Sequence, residues 1–161
     1  MTTTHATQIA TSVLAKVKLL DRGRISVTKE TIRAWAECFD LAPDGVWPTE
    51  ALEAVARHYS KPNPFPIFPG DVIDYCAKQP VHSSREHALF FLDQWLKYPY
   101  STVVKDYTGM DFPRIDVPEG LTVQEESKFL EDRHRKWVSQ NLDALLAGIA
   151  SRKFTPPAVE R

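Results

Sequence analysis

The chain has 161 residues, of which 43% are hydrophobic and 25% charged, and its formal net charge is −1. This size and composition predict one globular domain, or one domain with an appended element, and exclude a disordered or membrane-embedded chain. Residues 1–78 carry nine basic and nine acidic side chains and residues 79–161 carry eleven and twelve, so neither half has the positive field typical of a nucleic-acid-binding domain.

The first residues and the cysteines indicate the compartment. The chain begins without a basic region followed by a long apolar run, and no segment approaches the roughly 18 apolar residues of a membrane span. We therefore expect a cytoplasmic protein that does not contact a membrane. Cys38 and Cys76 fall on apolar helix stripes, so we expect both thiols to be reduced, buried and unreactive.

Apolar residues recur at helical spacing in four segments of the first half, the first of them at 8–20. Thr28 is placed to cap a second helix, and Pro48 and Pro69 suit the first turns of a third and a fourth, where a missing N–H costs nothing. Such short amphipathic helices must pack together to bury their apolar stripes. The pattern predicts an all-α fold, a small helical bundle.

A proline-rich segment at 60–69 separates the third and fourth helices. Residues that precede proline are pushed out of the right-handed helical region, so Ser60 to Phe68 should run extended and close to polyproline II. One interpretation is a stiff strap that lays apolar side chains across the bundle and closes a four-helix unit. The other is a docking surface formed by exposed Phe65 or Phe68.

The second half predicts two more helices. A fifth, capped at Ser83 or Ser84, should join the bundle, which then extends over residues 8–97. Residues 98–121 are predicted to form a loop, with or without a short hairpin. A single long helix is predicted at 122–150, where Thr122 and Glu125 can form a capping box and apolar residues make a continuous seam; a mobile tail should follow at 151–161.

No pattern of catalytic, cofactor-binding or metal-binding residues stands out. Glu131 and His134 make one Glu-x-x-His, whereas a di-iron bundle needs two and further glutamates facing them. We therefore interpret His134 as a solvated helix residue. The sequence has no Cys-x-x-Cys, no His-Glu-x-x-His and no glycine-rich phosphate loop, so neither a metal, a cofactor nor an ATP-driven activity is predicted. Without a nucleophile elbow or an activated thiol, we do not expect an enzyme.

One pattern of residues and helices resembles a known family. A helix of the type "IRAWAECF", a second of the type "EALEAVARHY" and a proline-phenylalanine loop into "PGDVIDYC" together resemble the N-terminal domain of phage replicative-helicase loaders, over about residues 10–78. The matching positions are Trp35, Leu52, Ala54, Tyr59, Phe65, Pro69 and Ile73.

Loaders of this kind are small helical proteins that deliver a ring helicase to the origin and inhibit it until it is loaded. In that family the helicase contact lies in a C-terminal region that is largely unstructured when free, whereas the second half of this chain has strong helical patterning. The family's partner-binding residues therefore cannot be carried over by position. If a phage encodes the chain, it should work in the host cytoplasm.

These observations favour a non-catalytic adaptor in phage-type DNA replication that binds and loads, or inhibits, a ring-shaped replicative helicase. Aromatic and arginine side chains dominate interface energetics. On that basis the predicted contact residues are Phe65, Phe68, Arg133, Arg135, Lys136, Trp137 and Phe154. The basic residues among them can equally form a solvated, ion-paired helix face.

Two other functions remain open at this stage. The second and third helices could form a helix-turn-helix DNA-binding regulator with Arg57, His58 and Lys61 late in the recognition helix, although Glu50 and Glu53 would repel phosphate. A small inhibitor of a host protein would have the same sequence features. A weak DNA contact and a homodimer through the C-terminal helix are also left open.

Overall fold

A computed structural model describes residues 3–96, 98 and 101–152. This part of the chain contains eight α-helices and one short 3₁₀ turn, Val81–Ser83, and it contains no strand. The all-α prediction is confirmed. The chain divides into two compact units, Met1–Gln79 and Pro80–Arg161, which we call the first and second unit.

The first unit is a bundle of four helices: α1 (Thr4–Leu20), α2 (Lys29–Asp40), α3 (Pro48–Tyr59) and α4 (Pro69–Ala77). Their starts follow the predicted signals, since the Thr28 hydroxyl accepts from the N–H of Thr31 and prolines occupy the first turns of α3 and α4. Helix α1 packs against α2 and α3, and α4 packs against α2 and α3. Residues such as Leu14, Val17, Val55 and Val72 are fully buried between them.

The second unit contains α5 (Arg85–Trp95), α6 (Val103–Thr108), α7 (Val123–Gln140) and α8 (Leu142–Arg152). Its core forms where α5 and α6 pack against α8, with Leu92 and Leu145 almost completely buried. The rings of Phe91 and Tyr107 meet at 4.6 Å between their centroids. Ser84, one of the two predicted caps, starts α5 by accepting from the N–H of His87.

The predicted bundle over 8–97 is wrong at its C-terminal end, because α5 belongs to the second unit and not to the four-helix bundle. The predicted loop at 98–121 contains helix α6, and none of its described residues forms a strand. Helix α6 has only six residues, rich in β-branched valine and threonine, so its local sequence favours a strand. Burial of Val104 and Tyr107 against the core stabilises the helix instead.

The predicted single helix at 122–150 is two helices, interrupted at Asn141. The capping box at its start is confirmed, because Thr122 and Glu125 exchange side-chain-to-backbone hydrogen bonds. At Asn141 the backbone leaves the helical region (φ −115°, ψ 16°), and the side-chain amide donates to the carbonyl of Trp137 at 2.9 Å. Asparagine competes in this way with the helical hydrogen bonds, which ends α7 before α8 begins at Leu142.

The two cysteines differ. Cys76 is buried as predicted, and burial raises the pKa of its thiol to about 11. Cys38 is exposed on α2, so the prediction that it is buried is wrong; the apolar stripe of α2 is filled by Trp35, Ala36 and Phe39.

Within the ranges given above, no helix has the length and apolar character needed to cross a membrane.

Gly148 of α8 provides a test of the α6–α8 packing. A Cβ atom at this position would lie 2.2 Å from the carbonyl oxygen of Thr108, a backbone atom that cannot move aside cheaply. We expect Gly148→Ala to lower the free energy of unfolding by about 1–3 kcal/mol, measured by chemical denaturation.

The matched control is Gly70→Ala in α4, where a Cβ would meet nothing within 4 Å. Alanine is the better helix former, so this variant should be as stable as the parent or more stable by up to about 1 kcal/mol. Equal stability of the two variants would contradict the close approach of α6 and α8.

Candidate docking surface

The proline-rich segment at 60–69, which we call the strap, connects α3 to α4. Its first residues turn and only its second part is extended, so the prediction of an extended run from Ser60 is wrong for residues 60–63. Asn63, which precedes Pro64, has a φ of +50°. A following proline disfavours the right-handed helical region, and asparagine tolerates the left-handed one.

A buried carboxylate holds the strap. Asp21, directly after α1, is 2% exposed and accepts hydrogen bonds from the hydroxyl of Tyr59 and from Nε of Arg24. The Tyr59 oxygen in turn accepts from the N–H of Ile67 at 3.1 Å. One carboxylate therefore connects the end of α1, the last residue of α3 and the middle of the strap.

Two further hydrogen bonds take up carbonyl groups of the strap. Nη2 of Arg24 donates to the carbonyl of Pro64 at 3.1 Å. The ring of His58 bonds to the carbonyl of Phe65 through Nε2, which must carry the proton because a carbonyl can only accept. At the far end the N–H of Phe68 donates to the Asp71 carboxylate at 2.8 Å, as part of the α4 capping box.

These bonds orient the apolar side chains of the strap. Ile67 points into the bundle and is 2% exposed, whereas Phe65 is 83% and Phe68 65% exposed. The strap thus closes the bundle through Ile67 and presents two phenylalanine rings to solvent.

The network has a defined charge state at neutral pH. Burial alone would raise the pKa of Asp21, but hydrogen bonds from Tyr59 and Arg24 and the positive charge of Arg24 outweigh burial and lower that pKa below its usual value. Burial and the hydrogen bond to Asp21 raise the pKa of Tyr59. Asp21 is therefore ionised and Tyr59 protonated, which is the state that the hydrogen bonds require.

The other predicted contact residues belong to the second unit and do not form a single free surface. Arg135 of α7 donates to Asp93 at 2.8 Å and to Glu131 at 3.2 Å, and the Arg133 guanidinium lies 5.0 Å from the ring centre of Phe129. The ion-paired alternative therefore describes Arg135. Lys136 is exposed.

Trp137 is only partly exposed, and its ring centre lies 5.4 Å from that of Phe112. Trp137 therefore helps to pack the second unit. Phe154, the last of the predicted contact residues, lies outside the described residues.

His134 is the one fully buried residue of α7, so its prediction as a solvated residue is wrong. It is 2% exposed, its ring centre lies 4.5 Å from that of Phe112, and it hydrogen-bonds to the Pro113 carbonyl. Within the described part of the chain its Nδ1 has no hydrogen-bond partner. His134 lies four residues from Leu130 and from Val138, and this spacing on the apolar seam could have indicated its burial.

The described residues contain no group of three or more histidine, cysteine or acidic side chains placed to hold a metal ion.

The Asp21 network could not be predicted from the sequence. "DRGR" reads as an ordinary helix stop, and its partners at 58, 59 and 64–67 are more than thirty residues away along the chain.

Asp21→Asn tests the carboxylate that holds the strap. The asparagine amide has no negative charge, so it accepts the hydrogen bonds of Arg24 and Tyr59 more weakly than the carboxylate does. We therefore expect the free energy of unfolding to fall by about 1.5–3 kcal/mol. Because the folded pKa of Asp21 lies below 3.8, its contribution is present above that pH and disappears as the pH falls through the folded pKa. The variant should lack this part of the acid dependence in denaturation measured from pH 7 to 2.

The control is Asp74→Asn, which removes an exposed i,i+4 pair with Lys78 and should cost less than about 1 kcal/mol. A similar cost for both substitutions would show that the buried network contributes no more than a surface ion pair.

Because His134 is buried, we predict a second pH dependence of stability, this time in the second unit. Burial lowers the pKa of His134 below 6.5, so the unfolded chain takes up a proton before the folded one does. The stability of this unit should be constant above about pH 6.5 and should fall as the pH drops below that value. Amide hydrogen exchange of α7 and α8 at pH 7.5 and 5.5 measures the change.

His134→Gln has no titrating group at this site and should flatten the pH dependence, although the protein itself becomes less stable. Substitution of the exposed His5 by Gln is the control and should leave the dependence of α7 and α8 unchanged. If the α7 amides of the parent protein have the same protection against exchange, relative to the intrinsic rate, at both pH values, the buried neutral histidine is contradicted.

Comparison with known proteins gives no relative from which a role could be transferred. No family model matches the chain, and no curated protein or solved structure matches it. The resemblance of residues 10–78 to helicase loaders therefore stays an expectation. Function has to be inferred from the residues themselves, and the strap is the feature that combines exposed apolar side chains with a rigid support.

Proposed function

We propose that this protein is a non-catalytic adaptor that binds another protein through the strap, and that its partner is a ring-shaped replicative helicase of the phage type. The observation that supports a binding role is the exposure of Phe65 and Phe68 on a segment whose backbone is held by hydrogen bonds to Arg24, His58 and Tyr59. The helicase is the specific partner because residues 10–78 resemble the helicase loaders.

A phenylalanine ring exposed to water is unfavourable, and its burial against a partner is favourable. Burial of each ring in a partner pocket would contribute about 1.5–3 kcal/mol. A flexible segment would lose part of that gain in ordering on binding, whereas the strap is already ordered by Asp21, Arg24 and Tyr59. Exposed aromatic side chains on an ordered support are characteristic of binding surfaces.

The helix-turn-helix alternative has less support. Both Nε and Nη2 of Arg57 donate to the Glu53 carboxylate, and the Arg57 guanidinium lies 5.9 Å from the ring centre of Tyr75. A phosphate would have to compete with these contacts. Glu50, in the first turn of α3, is buried, so its side chain is not available to contact a DNA base.

Light scattering after size exclusion, with this protein alone and then with the cognate helicase and ATP, tests the proposal. The expected result is a co-eluting complex heavier than the helicase alone. In the Phe65→Ala/Phe68→Ala variant the affinity should fall by at least about 30-fold, which corresponds to about 2 kcal/mol at an interface centre.

Leu41→Ala is the matched control, because Leu41 is 83% exposed at the end of α2 and lies outside the strap. Its affinity should equal that of the parent. If the folded parent forms no complex, the helicase is not the partner; if the double variant binds as well as the parent, the strap is not the contact.

A further inference from the structure

The exposed apolar side chains of the first unit concentrate on two segments. Among its described residues the large exposed hydrophobics are Leu19, Leu20, Leu41, Phe65 and Phe68. All but Leu41 lie either on the last two residues of α1 or on the strap. The Asp21 network joins these two segments directly, since Asp21 follows Leu20 and its partner Arg24 bonds to Pro64. We call this end of the unit the strap end.

Positive charge accompanies these side chains. Arg24 and Arg57 are neutralised by Asp21 and Glu53. Lys18, Arg22 and Lys61 are exposed, and within the described residues none of them has an ion-pair partner. Asp71, in the first turn of α4 just after the strap, is exposed and acidic, but Lys18, Arg22 and Lys61 outnumber it, so the strap end carries a net positive charge.

The backbone at Arg22 adopts a left-handed conformation that favours glycine. Arg22 has a φ of +52° and is followed by Gly23 at +82°. Glycine adopts this left-handed region freely, whereas other residues adopt it only at an energetic cost. A glycine would satisfy the turn equally well, so an exposed arginine here points to a role for its side chain.

The hydrogen bonds of the strap exclude one common way of binding. A partner strand needs a row of free N–H and C=O groups. Prolines 64, 66 and 69 have no N–H, and the N–H groups of Ile67 and Phe68 already bond to Tyr59 and Asp71. The carbonyls of Pro64 and Phe65 bond to Arg24 and His58. The extended part of the strap therefore binds through side chains.

From these observations we infer that the strap end is a cationic apolar docking surface, and that its occupant is a protein surface with apolar pockets rimmed by aspartate or glutamate carboxylates. This inference rests on the proposed function and names the chemistry of the helicase surface. Phe65 and Phe68 enter the pockets, and Lys18, Arg22 and Lys61 face the carboxylates. Single-stranded nucleic acid would also meet aromatic and basic groups, but Leu19 and Leu20 have no ring on which a base could stack.

Charge reversal distinguishes this surface from an uncharged apolar contact. Lys18→Glu/Arg22→Glu/Lys61→Glu changes only exposed side chains that have no ion-pair partner among the described residues. The control, Lys105→Glu/Arg114→Glu/Lys128→Glu, makes the same change in net charge on exposed residues of the second unit. Affinity for the cognate helicase is measured at 50 and 300 mM salt.

We expect the parent to bind more weakly at the higher salt, the strap-end variant to lose at least tenfold in affinity at the lower salt, and the control to stay within about twofold of the parent. The milder Lys18→Gln/Arg22→Gly/Lys61→Gln variant should also lose affinity while melting at the same temperature as the parent or higher, which separates lost charge from lost folding.

The other outcomes overturn the inference in distinguishable ways. If the parent binds the helicase and the strap-end variant binds equally well, the surface is not cationic in function, and the proposed function stands. If the folded parent does not bind the helicase at all, both are overturned. If a labelled single-stranded oligonucleotide binds the parent, and both the charge reversal and Phe65→Ala/Phe68→Ala abolish that binding, the occupant is nucleic acid and not protein.

Discussion

The Asp21 carboxylate is the interaction on which the first unit and its candidate surface depend. A buried charge without partners would cost several kcal/mol, and Asp21 avoids this cost because Tyr59 and Arg24 both donate to it. The same two donors also reach the strap, through the N–H of Ile67 and the carbonyl of Pro64. A single ion therefore fixes the end of α1, the end of α3 and the connection to α4.

The second unit also contains a buried titratable side chain, His134, but this one is neutral whereas Asp21 is ionised. His134 anchors α7 through the Pro113 carbonyl and the ring of Phe112, with no charged side chain contributing to its pKa. Ionisation would place an uncompensated charge in this core, whereas ionisation is what holds Asp21 in place. Acid therefore weakens both units for different reasons: it neutralises a charge that the first requires and creates one that the second cannot accommodate.

Helix starts were predictable because their signals are local. Thr28, Pro48 and Pro69 act within one turn of themselves, and the structure confirms each. Helix α6, by contrast, depends on packing against segments distant in sequence, which its local sequence does not encode. Asn141 and the spacing of His134 from Leu130 and Val138 are local signals, but the continuous helical pattern of 122–150 masks them. The hydrogen bonds to residues 21, 24, 58 and 59 show how a strap that closes the bundle through Ile67 also leaves Phe65 and Phe68 exposed. That these two rings form a docking surface stays a proposal.

The positive charge at the strap end also bears on self-association. An exposed apolar surface tends to pair with a copy of itself. Two strap ends brought together would place Lys18, Arg22 and Lys61 of one copy against the same cations of the other, and like charges at an interface are unfavourable. The prolines remove the N–H groups that would let two straps pair as strands. The features on which the proposal of an acidic partner rests would thus also disfavour pairing of the exposed phenylalanines with those of a second copy.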